Sequence, residues 1–145
     1  MKVKIKKLNP NATIPTYGSP YAAGADLYAC IENEEFINPG ETKLIKTGLA
    51  LELPIGYAAF IYARSGLASK RGLAPANKVG VVDCDYRGEV MVALHNHSST
   101  IQSVSVGERI AQMVIAPYIT AEFEEAEELS DTVRGEGGFG STGTK

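Results

Sequence analysis

The chain contains no tryptophan, only two cysteines and two histidines, and no apolar run long enough to span a bilayer. Cys30 and Cys84 lie far apart, without a CxxC pair or histidine-rich company, so neither a disulfide framework nor a structural zinc site organises the fold. The N-terminus, MKVKIKKLNP, lacks the apolar core of a signal peptide. A cytoplasmic protein without membrane contact is expected. A basic surplus is also missing: 14 Lys+Arg stand against 17 Asp+Glu, for a net charge of −3. Without a polycationic surface, no nucleic acid partner is expected.

What remains is an ordinary globular balance, with 44% hydrophobic and 21% charged residues in 145. That length matches one domain of about 150 residues. It also suffices to bury roughly two-thirds of the extended-chain surface without a covalent staple. Glycines at 40, 48, 56, 72, 80 and 88 separate short β-rich runs, among them 44–47, 57–62, 79–82 and 89–94. Strand-length segments with a turn signal every eight or so residues predict an all-β sandwich or barrel. At the N-terminus Lys2, Lys4 and Lys6 alternate with Val3 and Ile5, the two-residue period of a half-buried strand with a wet lysine face. One short helix is expected over Ser65–Arg71, stopped by Gly72. Residues 121–129, AEFEEAEEL, fit a helix and a strand equally well.

Composition changes near Ser130. The domain is expected to cover 1–130, and 131–145 to form a flexible tail rich in glycine, too poor in apolar residues to offset its ordering entropy. Gly135-x-Gly137-x-x-Gly140 satisfies a dinucleotide fingerprint literally, but the chain ends five residues later, so no helix or acidic partner follows. Arg134, Ser141 and Thr142, with glycine-freed amides between them, fit a phosphate grip; a disordered terminus fits as well.

Other segments carry chemistry or imitate it. Asp83-Cys84-Asp85 opens like a calcium loop, but Arg87 and Leu94 fall where ligands are needed, which rejects that site. Asp83 and Asp85 would share a strand face. Asp83 either leads an Asx turn or holds a water at a strand end. His95-x-His97 has no evident third metal ligand and reads as two strand-end histidines. Arg64-Ser65-Gly66 groups a guanidinium, a hydroxyl and a glycine at a helix start, which suits an oxyanion; the plainer reading is a serine N-cap beside a surface arginine. Gly107-x-Arg109-x-x-Gln112 enters a strand, and its plainer reading is an edge strand.

Five segments in order resemble the trimeric dUTP diphosphatases (dUTPases). They are 23–29 (AGADLYA), 64–67 (RSGL), Asn77 with 81–88 (VVDCDYRG), 107–112 (GERIAQ) and 134–143 (RGEGGFGSTG). Together they span nearly the whole chain. The resemblance implies a β-clip, jelly-roll-like subunit in a homotrimer, whose tail closes over sites shared between subunits. The implied reaction is hydrolysis of dUTP to dUMP and pyrophosphate, which limits uracil incorporation into DNA and supplies dUMP for dTMP synthesis. The implied cofactor is Mg²⁺, carried on the triphosphate, with Asp26 holding its waters. Asp83 would orient and deprotonate the attacking water and touch the sugar 3′-hydroxyl. Arg64, Ser65, Gly66 and Gln112 would bind phosphates, joined by Arg134, Ser141 and Thr142 on closure. A hairpin from Asn77 to Asp83, including Val81 and Val82, would read uracil through its backbone. Tyr86 would block a ribose at C2′, Met91 would pack nearby, and Phe139 with Gly140 would cover the base. Two other readings are a dCTP deaminase of the same fold and a non-catalytic, nucleotide-dependent binding protein.

Overall fold

The computed structural model describes residues 1–139. Twelve short strands and one helix occur among them, and every ladder is antiparallel. The largest sheet has five strands, in spatial order β2 (Thr16–Tyr17), β3 (Ala25–Tyr28), β12 (Arg109–Pro117), β7 (Tyr57–Tyr62) and β9 (Gly80–Val82). A three-stranded sheet sets β5 (Thr42–Lys46) and β8 (Leu73–Pro75) on either side of β10 (Met91–Asn96). Two ribbons complete the fold: β1 (Lys4–Lys7) with β6 (Leu49–Glu52), and β4 (Glu35–Ile37) with β11 (Gln102–Val104). The all-β expectation holds, in the β-clip, jelly-roll manner.

Side-chain alternation explains how the sheets close on one another. Along β10, Val92, Leu94 and Asn96 turn inward while the residues between them face outward. Leu27, Ile37, Ile45, Leu73, Leu94 and Ile110 meet in the core at 0–1% exposure. Each such side chain contributes about 1.5–3 kcal/mol by leaving water. The N-terminal strand keeps its lysines in solvent, and Lys4 bonds Glu52 across the ribbon at 2.8 Å. That bond holds the Glu52 carboxyl below its ordinary pKa.

The helix α1 spans Ser65–Arg71 and stops at Gly72, whose φ of 66° is left-handed. A Cβ there would also lie 3.0 Å from the Ser98 backbone nitrogen. The segment 121–129 forms neither helix nor strand. Its apolar Phe123 and Leu129 are fully exposed, so neither periodicity finds a surface to bury against. Within the Gly107 segment, β12 is a central strand between β3 and β7, not an edge.

Asn96 is the polar hub of the core, fully buried. Its amide nitrogen donates to the carbonyls of Ile37 and Thr100, each at 2.8 Å, and its oxygen accepts from Ser98. These bonds fasten β10 to β4 and to the loop that follows. Asn96→Ala should therefore cost about 2 kcal/mol or more, because buried carbonyls lose their donor. Chemical denaturation at fixed protein concentration measures this, and a loss under about 0.5 kcal/mol would mean that water replaces the side chain freely.

Candidate active site

Strand pairing assembles the first cleft. Asp26 on β3 lies directly across from Gln112 on β12, which in turn pairs with Tyr62 at the end of β7. Arg64 follows two residues later and turns back into the cleft. Its Nε bonds Asp26 Oδ1 at 2.8 Å, while Arg109 Nη1 approaches Asp26 Oδ2 at 3.3 Å. Asp26 is 8% exposed. Two guanidiniums share one carboxylate, so the cleft keeps a net positive charge suited to an anion. The helix N-cap is Arg64, with extended backbone and no side-chain cap bond, its guanidinium being engaged by Asp26. Ser65 is thus the first helical residue, which sets aside the plainer reading of a serine N-cap.

Arg109 and Gln112 stand three apart, and in a regular strand they would face opposite sides. A register shift between Arg109 and Ala111 inserts one extra residue and brings both to the same cleft. Gln112 donates from Nε2 to the Ala63 carbonyl at 2.8 Å, which latches the chain just before Arg64. Gly24 makes this possible: a Cβ there would lie 2.5 Å from Gln112 Oε1. Ser65 and Gly66 line the same cleft, whose volume is about 260 Å³.

A second cavity, of about 280 Å³, lies along β9 and β10 and is lined by Asn77, Gly80, Val81, Val82, Asp83, Tyr86 and Met91. The expected hairpin of 77–83 takes a different form. A tight turn with Lys78 at φ 64° joins β8 to β9, but β8 pairs with β10 and β9 with β7. The turn therefore bridges two sheets, and β9 is the outer strand of its sheet. One row of its backbone groups is left without a neighbouring strand among the described residues. Asp83 is exposed just beyond β9, at the head of a turn closed by the Tyr86 amide on the Asp83 carbonyl at 3.2 Å. The main chain closes this turn, so no Asx bond is needed. Asp85 lies within the turn and does not share a strand face with Asp83. Beside it, the Cys84 thiol meets the Tyr118 hydroxyl at 3.6 Å and raises the Tyr118 pKa above its ordinary value.

Among the described residues none lines both clefts, although every residue expected at a site up to Gln112 lines one or the other. Tail residues Arg134 and Phe139 line neither. Arg134 Nε closes a local turn on the Gly137 carbonyl at 2.8 Å, and Phe139 is fully exposed. Gly140, Ser141 and Thr142 lie outside the described residues. His95 and His97 stack edge-on at 4.4 Å, with His95 Nδ1 2.8 Å from Thr42 Oγ1. Local desolvation, and then the neighbouring His95, lower the pKa of the exposed His97. Sequence reasoning did not place Arg109 in the site. Its signal was the odd spacing to Gln112 around the apolar pair Ile110-Ala111.

A dUTPase family model matches residues 10–143. The deoxyuridine 5′-triphosphate nucleotidohydrolase of Nautilia profundicola is 55% identical, over 99% of both chains. That of a Hydrogenobaculum species is 50% identical over the full length of each. Among solved structures, the dUTPase of Staphylococcus bacteriophage 80alpha with dUPNHPP is 29% identical, covers 98% of each chain and superposes with a TM-score of 0.89.

Gly24→Ala tests whether the first cleft is an anion site built by close packing. Displacing Gln112 should weaken pyrophosphate binding about tenfold, the scale of an overpacking penalty of 1–3 kcal/mol. Isothermal titration reads this directly. Unchanged affinity would remove Gln112 from the cleft's function.

Proposed function

The chain belongs to the dUTPase family, and we propose that its two clefts come together from neighbouring copies around a single nucleotide. It is a nucleotide hydrolase that converts dUTP to dUMP and pyrophosphate. One observation carries the proposal: the positively charged cleft and the edge-strand cavity share no residue. Each has about the volume of a small ligand pocket or less. A closed ring of three copies brings the first cleft of one against the second cavity of the next, and makes three identical sites.

In the second cavity, the free edge of β9, with Asn77, reads uracil. Uracil offers a donor at N3 and an acceptor at O4. Cytosine reverses both, which leaves buried backbone groups unpaired. Tyr86 lies against C2′ of the sugar, and Met91 packs beside it. Asp83, at the mouth of this cavity, holds a water in line with the α-phosphorus and accepts its proton as the bond to phosphorus forms. The same carboxylate orients the 3′-hydroxyl.

Arg64, Ser65, Gly66 and Gln112 hold the phosphates, and Arg109 adds positive charge where the leaving pyrophosphate gathers negative charge. Among the described residues Asp26 is the single carboxylate lining that cleft. Among the described residues no group of three His, Cys, Asp or Glu could cage a metal. This donor set fits an ion that arrives on the substrate, coordinated chiefly by phosphate oxygens and water. When bound, Mg²⁺ supplies charge neutralisation across the phosphates. Each Asp26 oxygen accepts one arginine bond and keeps a second lone pair for such waters. Residues 131–145 act as a tail that closes the site, with Arg134, Ser141 and Thr142 on the phosphates and Phe139 and Gly140 over the base. Closure excludes water from the reacting centre.

Asp83→Asn should retain binding of a non-hydrolysable dUTP analogue and lose kcat by about 10²-fold or more, as removal of a general base does. Near-normal turnover would take that role from Asp83. Complementation tests the sharing of sites. Asp83→Asn and Arg64→Ala, each inactive alone, should recover about a quarter of wild-type activity when unfolded together and reassembled, because a random mixture leaves that share of sites with both residues intact. If mixing restored nothing, each site would lie within one chain.

A further inference from the structure

We propose that Gly88 and Glu89 form a rigid seat for the ring of Tyr86, and that this seat sets how strongly the site rejects a ribose. The inference rests on the placement of Tyr86 against C2′ given above. A steric filter works only if its wall does not yield, and an exposed aromatic ring ordinarily changes rotamer within nanoseconds. Tyr86 is 44% exposed, yet it is held at two points. Its hydroxyl donates to the Glu89 carbonyl at 3.0 Å. Its ring also lies across Gly88, where a Cβ would sit 2.4 Å from the hydroxyl oxygen and 2.5 Å from the carbon that bears it.

Gly88 does not adopt a left-handed φ, so the backbone itself makes no demand for glycine there. The demand comes from the Tyr86 ring. Glu89 is anchored in turn. Its carboxylate accepts the Gly48 amide at 2.9 Å, and Gly48 holds a left-handed φ of 69° that fixes where the amide points. The next residue, Val90, bonds Leu49 through its amide at 2.8 Å and accepts the hydroxyl of fully buried Thr47 at 2.5 Å. The acceptor for the Tyr86 hydroxyl is therefore tied to the β5–β6 connection, far from the nucleotide in sequence. Glu89 is a positioning residue that acts through Tyr86.

The test compares kcat/KM for dUTP and UTP. Tyr86→Phe, which removes only the hydroxyl, Gly88→Ala and Glu89→Ala should each lower the dUTP/UTP ratio about tenfold, chiefly by improving UTP. Glu89→Gln should preserve the ratio, because its amide oxygen still accepts from Gly48. A role in folding alone would reduce both substrates equally and leave the ratio unmoved. If Tyr86→Ala loses discrimination while the other three keep it, the seat is overturned and Tyr86 remains at the sugar. If Tyr86→Ala also keeps it, the placement of Tyr86 itself falls. Should Gly88→Ala fail to fold, Tyr86→Phe and the Glu89 pair still decide.

Discussion

Asp26 is a carboxylate placed inside a sheet, where an unpaired charge costs several kcal/mol. Its position on β3 is set by backbone pairing with β12, so the charge cannot move to water; arginines must come to it. Arg64 does so by turning back from the end of β7, and this brings the start of α1 to the rim of the cleft. Arg109 does so from β12. The excess positive charge that suits phosphate is thus a by-product of neutralising one buried acid with two partners. Loss of either partner would leave the acid undercompensated and change the geometry of the other.

The two clefts differ in what they present. One offers side-chain charge, which binds phosphate in any compound. The other offers main-chain polarity along the open side of β9, which responds to the order of donors and acceptors on a base. Edge strands usually need protection from unwanted pairing. In the proposed reading, a planar ligand with complementary polarity occupies that edge, so the same exposed row that would invite aggregation carries selectivity for the base.

Much of this was legible before the structure was known, but unevenly. The strand Tyr57–Tyr62 and the helix Ser65–Arg71 appeared where the turn signal at 54–56, the β-rich run after it and Gly72 placed them, because these signals are local. The residues that the resemblance grouped from 23–29, 64–67, 77–88 and 107–112 line one cleft or the other, whereas Arg134 and Phe139 of the tail line neither. What remained hidden depended on distant pairing. Nothing within 73–82 states that β8 and β9 belong to different sheets, and the hairpin that the resemblance implied did not reveal it. The position of β12 at the centre of its sheet is fixed by β3 and β7, not by its own sequence. Residues 121–129 carried two patterns at once, and local propensity could not choose between them without a surface to pack against.

The extra residue near Ile110 acts on β12 much as a shifted reading frame acts on a message. Side chains on a strand are read in steps of two, so one inserted position exchanges inside for outside from there onward. Upstream of the shift Arg109 faces the cleft, and Ile110 and Ala111 are both buried in succession. Downstream, Gln112 faces the cleft in the opposite phase. Adding one further residue here would leave the composition of the strand nearly intact and yet turn Gln112 into the core, or Arg109 out of the cleft. The length of this short stretch therefore carries information that no single side chain in it does, and substitution alone cannot reproduce the effect of changing it.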